Sequence, residues 1–185
     1  MNGIGTRVIE TKRLILRPMK IDDAEEMYIN WTSDPKTTKY LSWESHHSLK
    51  ETIDYVNSQL PLYEKEYYFN WVIELKQTGE LIGNINAEKV SLLHRLCEMN
   101  DCIGPRFWNK GYATEALKAF IEYMFKKVGF EKIIARHLAT NPASGRVMLK
   151  AGMKCDGILK GWAVDKTTGL RTDMVCYSID NPTSN

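Results

Sequence analysis

The chain is poor in the features that would make it a metalloprotein, a membrane protein or a nucleic-acid binder. Its four cysteines, Cys97, Cys102, Cys155 and Cys176, contain no CxxC pair, so zinc-ribbon and dithiol redox chemistry lack their ligands and reduced, packed thiols are expected. The only adjacent histidines, His46 and His47, have no carboxylate or thiolate beside them, and a solvated loop pair is expected there rather than a metal site. Twenty-five basic against twenty-three acidic residues leave a formal charge of +2, too little for a nucleic-acid footprint. No stretch approaches the roughly 20 apolar residues of a membrane span, and no apolar run follows Met1-Asn2-Gly3-Ile4-Gly5-Thr6, so a cytoplasmic protein is the expectation. Two nucleotide loops are also missing. GxxxxGK[ST] is absent, and Gly3-Ile4-Gly5 runs into Thr6-Arg7-Val8 without a third glycine, which removes the usual kinase and dehydrogenase signatures.

What is present fits a single domain over 1–185, with 43% apolar and 26% charged residues, enough to build a core unaided. Positions 13–17 alternate and stop at Pro18, as a strand does. Asp22 and Asp23 are placed to cap a helix whose Ala24, Met27, Tyr28 and Trp31 share a face, with Ser33-Asp34-Pro35 ending it. Ser48 and Glu51 form a capping-box pattern before Leu49, Ile53, Val56 and Leu60. Positions 69–75 and 81–90 read as a hairpin about Gln77-Thr78-Gly79, and 97–103 as a further strand ended by Gly104-Pro105. Ala116, Leu117, Phe120, Ile121, Met124, Phe125 and Val128 trace a helix stopped by Gly129, followed by a strand over 132–138. That strand–helix–strand unit predicts a right-handed crossover and hence one parallel pair in an otherwise antiparallel sheet. Asn141-Pro142 opens a last helix ending at Gly152, and 153–164 with 172–179 close as a hairpin. The fold class is α+β, a mixed and mostly antiparallel sheet with about four helices.

The chemistry concentrates in Trp108-Asn109-Lys110-Gly111-Tyr112-Ala113-Thr114-Glu115-Ala116-Leu117, a strand-following loop that runs straight into a helix. Free backbone N–H groups and the helix dipole favour an anion there, Gly111 permits close approach and Lys110 adds charge. A plain helix start accounts for the same residues.

This stretch resembles the coenzyme A loop of GNAT acyltransferases, Q/R-x-x-G-x-G/A, with Gly111 and Ala113 on the small positions and Trp108 in place of Gln or Arg. It is similar to the form found in the ribosomal-protein alanine N-acetyltransferase branch, and the similarity extends to 13–23, 31–43, 98–104 and 141–152. The resemblance implies an N-acetyltransferase that moves an acetyl group from acetyl-coenzyme A to a primary amine, such as the N-terminus of a ribosomal protein, as monomer or homodimer, without a metal. It implies that the fourth and fifth strands of that family's sheet splay apart. The pantetheine arm would pair with backbone near Cys102 and Ile103, and the pyrophosphate would lie on Asn109, Lys110, Gly111, Tyr112, Ala113 and Thr114, with Trp108 also in the cofactor-binding loop. Asn141 would meet the pantetheine, although it also suits a helix cap. Glu98 is the implied proton acceptor, with Glu88 or a water in reserve; both also read as solvated strand residues. The family's tyrosine acid is replaced by Met148, and Ser144 takes its place by resemblance, its alternative being a hydroxyl bonded to the helix start. Because Met148 and Asp101 depart from the pattern, a coenzyme A-binding module without turnover and an acetyltransferase for small amines are the alternatives.

Overall fold

The computed structural model describes residues 1–183. Strands β1 (Ile9–Glu10), β2 (Leu14–Arg17), β3 (Asn70–Leu75), β4 (Leu81–Ser91), β5 (Leu96–Ile103), β6 (Lys132–Leu138), β7 (Lys154–Val164) and β8 (Arg171–Asp180) form one eight-stranded sheet in the order β1-β2-β3-β4-β5-β6-β8-β7. Every neighbouring pair is antiparallel except β5 and β6, the pair joined by the helical crossover, as the sequence pattern requires. Helices cover both faces. On one, α4 (Tyr112–Tyr123) buries Ala116, Leu117 and Phe120 against Leu16, Trp71 and Ile73; on the other, α1 (Ala24–Met27) and α3 (Leu49–Gln59) bury Met27 and Val56 with Trp31, Val72 and Leu81.

The register explains the opening in the middle of this sheet. β5 and β6 pair only at Leu96↔Lys132, Cys97↔Ile133 and Glu98↔Ile134, although β5 continues to Ile103 and β6 to Leu138. Each strand stays bonded along its outer edge, β5 to β4 up to Ile103 and β6 to β8 up to Leu138. The two halves of the sheet therefore diverge beyond Glu98 and leave a gap lined by unpaired backbone. Alternation decides which groups face it: the N–H of Gly104 bonds Ile82 on β4, so Cys102 and Asn100 also turn their backbone to β4, while Met99, Asp101 and Ile103 turn theirs to the gap.

Several local expectations are corrected. Asp23 caps the helical start one turn earlier than expected, as the third residue of the turn: its carboxylate reaches back to the Lys20 N–H at 2.7 Å and takes a two-pronged ion pair from Arg17 at 2.8 and 2.9 Å. Asp34 does not simply end a helix but accepts from the Lys36 N–H at 2.7 Å, starting the short α2 (Pro35–Thr38), a fifth helix beside α5 (Pro142–Lys150). Cys155 is exposed rather than packed. His46 is half-buried, bonded through Nδ1 to Thr52 Oγ1 at 2.7 Å and flanked by Trp43 and Tyr55. Among the described residues there is no cluster of His, Cys, Asp and Glu fit for a metal ion, and no helix long and apolar enough to cross a membrane.

Candidate active site

Two cavities of about 540 and 650 Å³ meet at the gap. The first runs from the open end of β5 along the start of α4 to α5 and is lined by Ile103, Trp108, Asn109, Gly111, Tyr112, Ala113, Thr114, Asn141 and Ser144. The second lies over the sheet on the α3 side, between the 40–46 loop and β7, with Trp43, Tyr55, Glu88, Glu98, Asn100 and Trp162 among its walls. Asp101, Cys102, Asn141 and Ser144 border both.

The start of α4 has the geometry of an anion cradle. Asn109 and Gly111 both take left-handed backbone, φ 60° and 80°, so the loop coils under the helix, and Gly111 at the cap position offers no side chain to the first N–H groups. Glu115 N–H bonds Gly111 O at 3.1 Å, but the N–H groups of Tyr112, Ala113 and Thr114 find no protein acceptor among the described residues, leaving three donors at the positive end of a 12-residue helix. A clasp from a distant part of the chain fixes this shape. Arg13 donates to Glu115 at 2.7 Å and to the carbonyl of Lys110 at 3.0 Å, and lies over the Tyr112 ring at 4.5 Å; Thr11 Oγ1 and the Arg13 N–H take the other Glu115 oxygen at 2.7 and 2.8 Å. Arg13 lies 102 positions from Glu115 in the sequence, so no local pattern marks the pair.

Of the two strand residues expected to meet a pantetheine arm, the register presents Ile103 to the gap and turns the backbone of Cys102 to Asn84, so for Cys102 the expected backbone contact is not supported. Trp108 Nε1 donates to the Ile103 carbonyl at 2.6 Å, which leaves the Ile103 N–H as the open group there. Burial pushes the Cys102 thiol up to about 12, so it stays protonated and donates to Asn84 Oδ1 at 2.8 Å.

Neither cap role occurs at the start of α5. Asn141 makes no side-chain cap bond; its Nδ2 donates to Ser144 Oγ at 3.0 Å. Ser144 thereby accepts, and its own proton has no acceptor among the described residues. Gly145 allows this placement, because a Cβ there would stand 2.6 Å from His137 Nε2 and 2.8 Å from Tyr177 Oη, pushing α5 off the sheet. Met148 is buried beside it.

Glu98 and Arg136 form a fork across the root of the gap, with Nε–Oε1 at 2.7 Å and Nη2–Oε2 at 2.9 Å, and Lys89 adds a bond at 2.8 Å. Burial alone would raise the Glu98 pKa, but Arg136 and Lys89 outweigh it and hold it below the usual value. A carboxylate saturated by two cations is a weak base, so the geometry argues against Glu98 as proton acceptor and makes it the tie that holds β5 and β6 together where they part. Glu88, its cross-strand partner, is exposed and has no partner among the described residues. Asp101 likewise has none, and burial pushes its carboxyl up to about 6.

A splayed sheet with an anion cradle at its open end and a second chamber across the gap is the architecture of an acyltransferase. The chain belongs to the acetyltransferase (GNAT) domain family, whose model matches residues 13–154, and it is an acetyltransferase. It is 32% identical over 175 residues to the uncharacterized N-acetyltransferase YoaA of Bacillus subtilis, covering 95% of this chain and 97% of that one. It is similar to the crystal structure of a GNAT-family acetyltransferase from Bacillus anthracis, with TM-score 0.82 and 29% identity over 95% and 99% of the two chains. The ribosomal-protein-S5-alanine acetyltransferase of Vibrio fischeri overlays with TM-score 0.84 over 97% and 99% of the chains, but at 17% identity it shows the fold alone. The ribosomal-protein branch is thus one structural neighbour among several.

Proposed function

We propose that this chain transfers the acetyl group of acetyl-coenzyme A to a primary amine, the donor lying in the 540 Å³ cavity and the amine in the 650 Å³ cavity. The observation that carries this reading is the shared wall at Asp101, Cys102, Asn141 and Ser144, which lets two reactants meet in the gap. Acetyl-coenzyme A supplies a thioester carbonyl for attack and a sulfur that leaves. The free N–H groups of Tyr112, Ala113 and Thr114 suit its pyrophosphate, with Asn109, Lys110 and Trp108 around them. The open Ile103 N–H suits the carbonyl oxygen as charge develops on it. An α-amine with pKa near 8 or a lysine near 10.4 is mostly protonated at neutral pH, and of the two unpaired carboxylates on the amine's wall, Glu88 and Asp101, the exposed Glu88 is the one to receive that proton, directly or through water. Asn141 donates to Ser144 Oγ, which leaves the hydroxyl proton free to be given to the departing sulfur.

The acceptor reading by resemblance is a protein N-terminal amine. A compact amine is favoured by one feature: Lys166, in the turn between β7 and β8, donates to the Trp43 carbonyl at 2.7 Å and pairs with Glu44 at 3.3 Å, strapping together the two elements that carry Trp43 and Trp162 on the cavity wall. Release of free thiol from acetyl-coenzyme A tests the reading; it should depend on added amine, and a protein that binds the donor but never releases thiol with any amine would be a binding module. Ser144→Ala is expected to lower kcat roughly 10–100-fold, at or below the lower edge of general acid catalysis, with donor affinity and melting temperature unchanged. Unchanged kcat would remove Ser144 from the chemistry.

A further inference from the structure

The floor of the second cavity is built from residues that strands ordinarily avoid. Asn70 on β3, Asn86 on β4 and Asn100 on β5 stand in register, and Asn84 lies one row along, opposite Cys102. All four line the cavity. Asparagine is disfavoured in strands, and central strands beneath a helical layer normally present apolar or β-branched side chains. A local rule broken four times on one face of three adjacent central strands marks a functional surface.

Their hydrogen bonds divide them. Asn70 is buried with its Nδ2 committed, donating to Tyr68 Oη at 2.9 Å and lying 3.4 Å from Gln59 Oε1, while its Oδ1 has no partner among the described residues. Asn84 Oδ1 is taken by the Cys102 thiol. The carboxamides of Asn86 and Asn100 are half-buried and make no protein bond among the described residues, so two complete amide groups on directly opposite residues, with Cα atoms about 5.5 Å apart in a hydrogen-bonded antiparallel pair, face the cavity together with the Asn84 Nδ2. Each carboxamide donates and accepts at once and carries no charge. Five charged groups line it: Arg136 and Lys89 pair with Glu98, and Glu88 and Asp101 are unpaired carboxylates, so the formal excess is a single negative charge. Trp43, Tyr55 and Trp162 stand on the walls. Such a surface is matched by groups that also donate and accept, chiefly hydroxyls, on a compact body with apolar ring edges. One excess negative charge suits a single ammonium group and leaves less for a second or third.

We propose that Asn86 and Asn100, with Asn84, form a specificity site for a polyhydroxylated monoamine of the amino-sugar class. The inference rests on the reading of the second cavity as the acceptor chamber. The test compares glucosamine, cyclohexylamine, spermidine and an alanyl tetrapeptide as acceptors for the full chain, with thiol release as the readout and calorimetric binding of acetyl-coenzyme A as a separate measurement. Glucosamine is expected to show a kcat/KM at least tenfold above each of the others. Asn86→Ala and Asn100→Ala are each expected to raise the KM for glucosamine 3–10-fold with kcat little changed, the range for losing one neutral hydrogen bond, while leaving cyclohexylamine, which has the ring without the hydroxyls, as it was. Equal turnover of glucosamine and cyclohexylamine, preference for spermidine or the peptide, or variants that depress all acceptors alike would overturn the proposal. The comparison of acceptors on the unaltered protein needs no variant to fold. Absence of acetyl-coenzyme A binding would instead overturn the donor reading beneath it.

Discussion

Gly111→Glu is expected to lower acetyl-coenzyme A affinity at least 100-fold in a protein that still folds. Gly111 holds φ at 80°, a conformation that costs a residue with a side chain about 1–3 kcal/mol. Space is not the obstacle, since the nearest atom to a Cβ there is Arg13 Nη2 at 3.5 Å. The larger effect is electrostatic. A carboxylate beside the free N–H groups of Tyr112, Ala113 and Thr114 would both occupy them and repel a phosphate; two unit charges 4 Å apart at a protein surface repel by about 4 kcal/mol. Arg13 is held through Nε by Glu115 and through Nη1 by the Lys110 carbonyl, so only its Nη2 is left to draw the new carboxylate aside, which offsets part of this repulsion. Gly111→Ala separates the causes, carrying the strain without the charge, and its affinity loss should be no more than a few-fold. Isothermal calorimetry with far-ultraviolet circular dichroism reads both. Equal affinity in Gly111→Glu and the unaltered protein would mean that no phosphate lies on this helix start, and the donor cavity would have to be placed elsewhere.

The anion cradle was legible in the sequence because its parts are consecutive: a loop, a glycine able to go left-handed and an amphipathic helix lie within residues 108–128. The crossover and its parallel pair were legible for the same reason, as strand, helix and strand follow one another. Asn141 and Ser144 could be named as a pair because they are three apart at a helix start, but which atom bonds which was not written there; the structure has the amide donating to the hydroxyl, where a bond to the helix start was the alternative reading of each. What sequence could not supply is register. The row Asn70, Asn86 and Asn100 is spread over 31 positions and becomes a surface only when three strands align. The fork between Glu98 and Arg136 likewise depends on β5 and β6 lying parallel with Glu98 opposite Ile134, and it changes the role expected of Glu98. The clasp of Arg13 on Glu115 is another long-range pairing. The signal for the asparagine row was nonetheless present as an oddity, Asn84 and Asn86 within a predicted strand and Asn100 within another.

Asp101→Asn is expected to raise the melting temperature at pH 7 while lowering turnover. The Asp101 carboxyl borders both cavities, has no hydrogen bond or ion pair among the described residues, and burial pushes its pKa up from 3.8 to about 6. The sign follows from linkage. The folded state binds this proton more tightly than the unfolded chain does, so stability is greatest below the ordinary carboxylate pKa, falls as pH rises from about 4 to about 6, and stays reduced above. The full difference corresponds to about 3 kcal/mol; the carboxyl is half-buried and water in the cavity screens part of it, so about 1–3 kcal/mol is the expected gain from removing the charge. For a chain of this size that is about 2–4 °C for each kcal/mol. Melting curves of both proteins from pH 4 to pH 8 carry the test: the gain should be present at pH 7 and vanish by pH 4, where aspartate is itself mostly neutral. A gain of the same size at every pH would trace to packing rather than charge. The activity half of the prediction comes from position. A charge that weakens the fold, set where the two cavities join, points to a role toward the reactants, as destabilising polar groups at functional sites do. Loss of turnover in a stabilised Asp101→Asn protein, with acetyl-coenzyme A affinity retained, would place that carboxylate among the groups that act in the transfer, whereas full activity would leave its cost to the fold without a function.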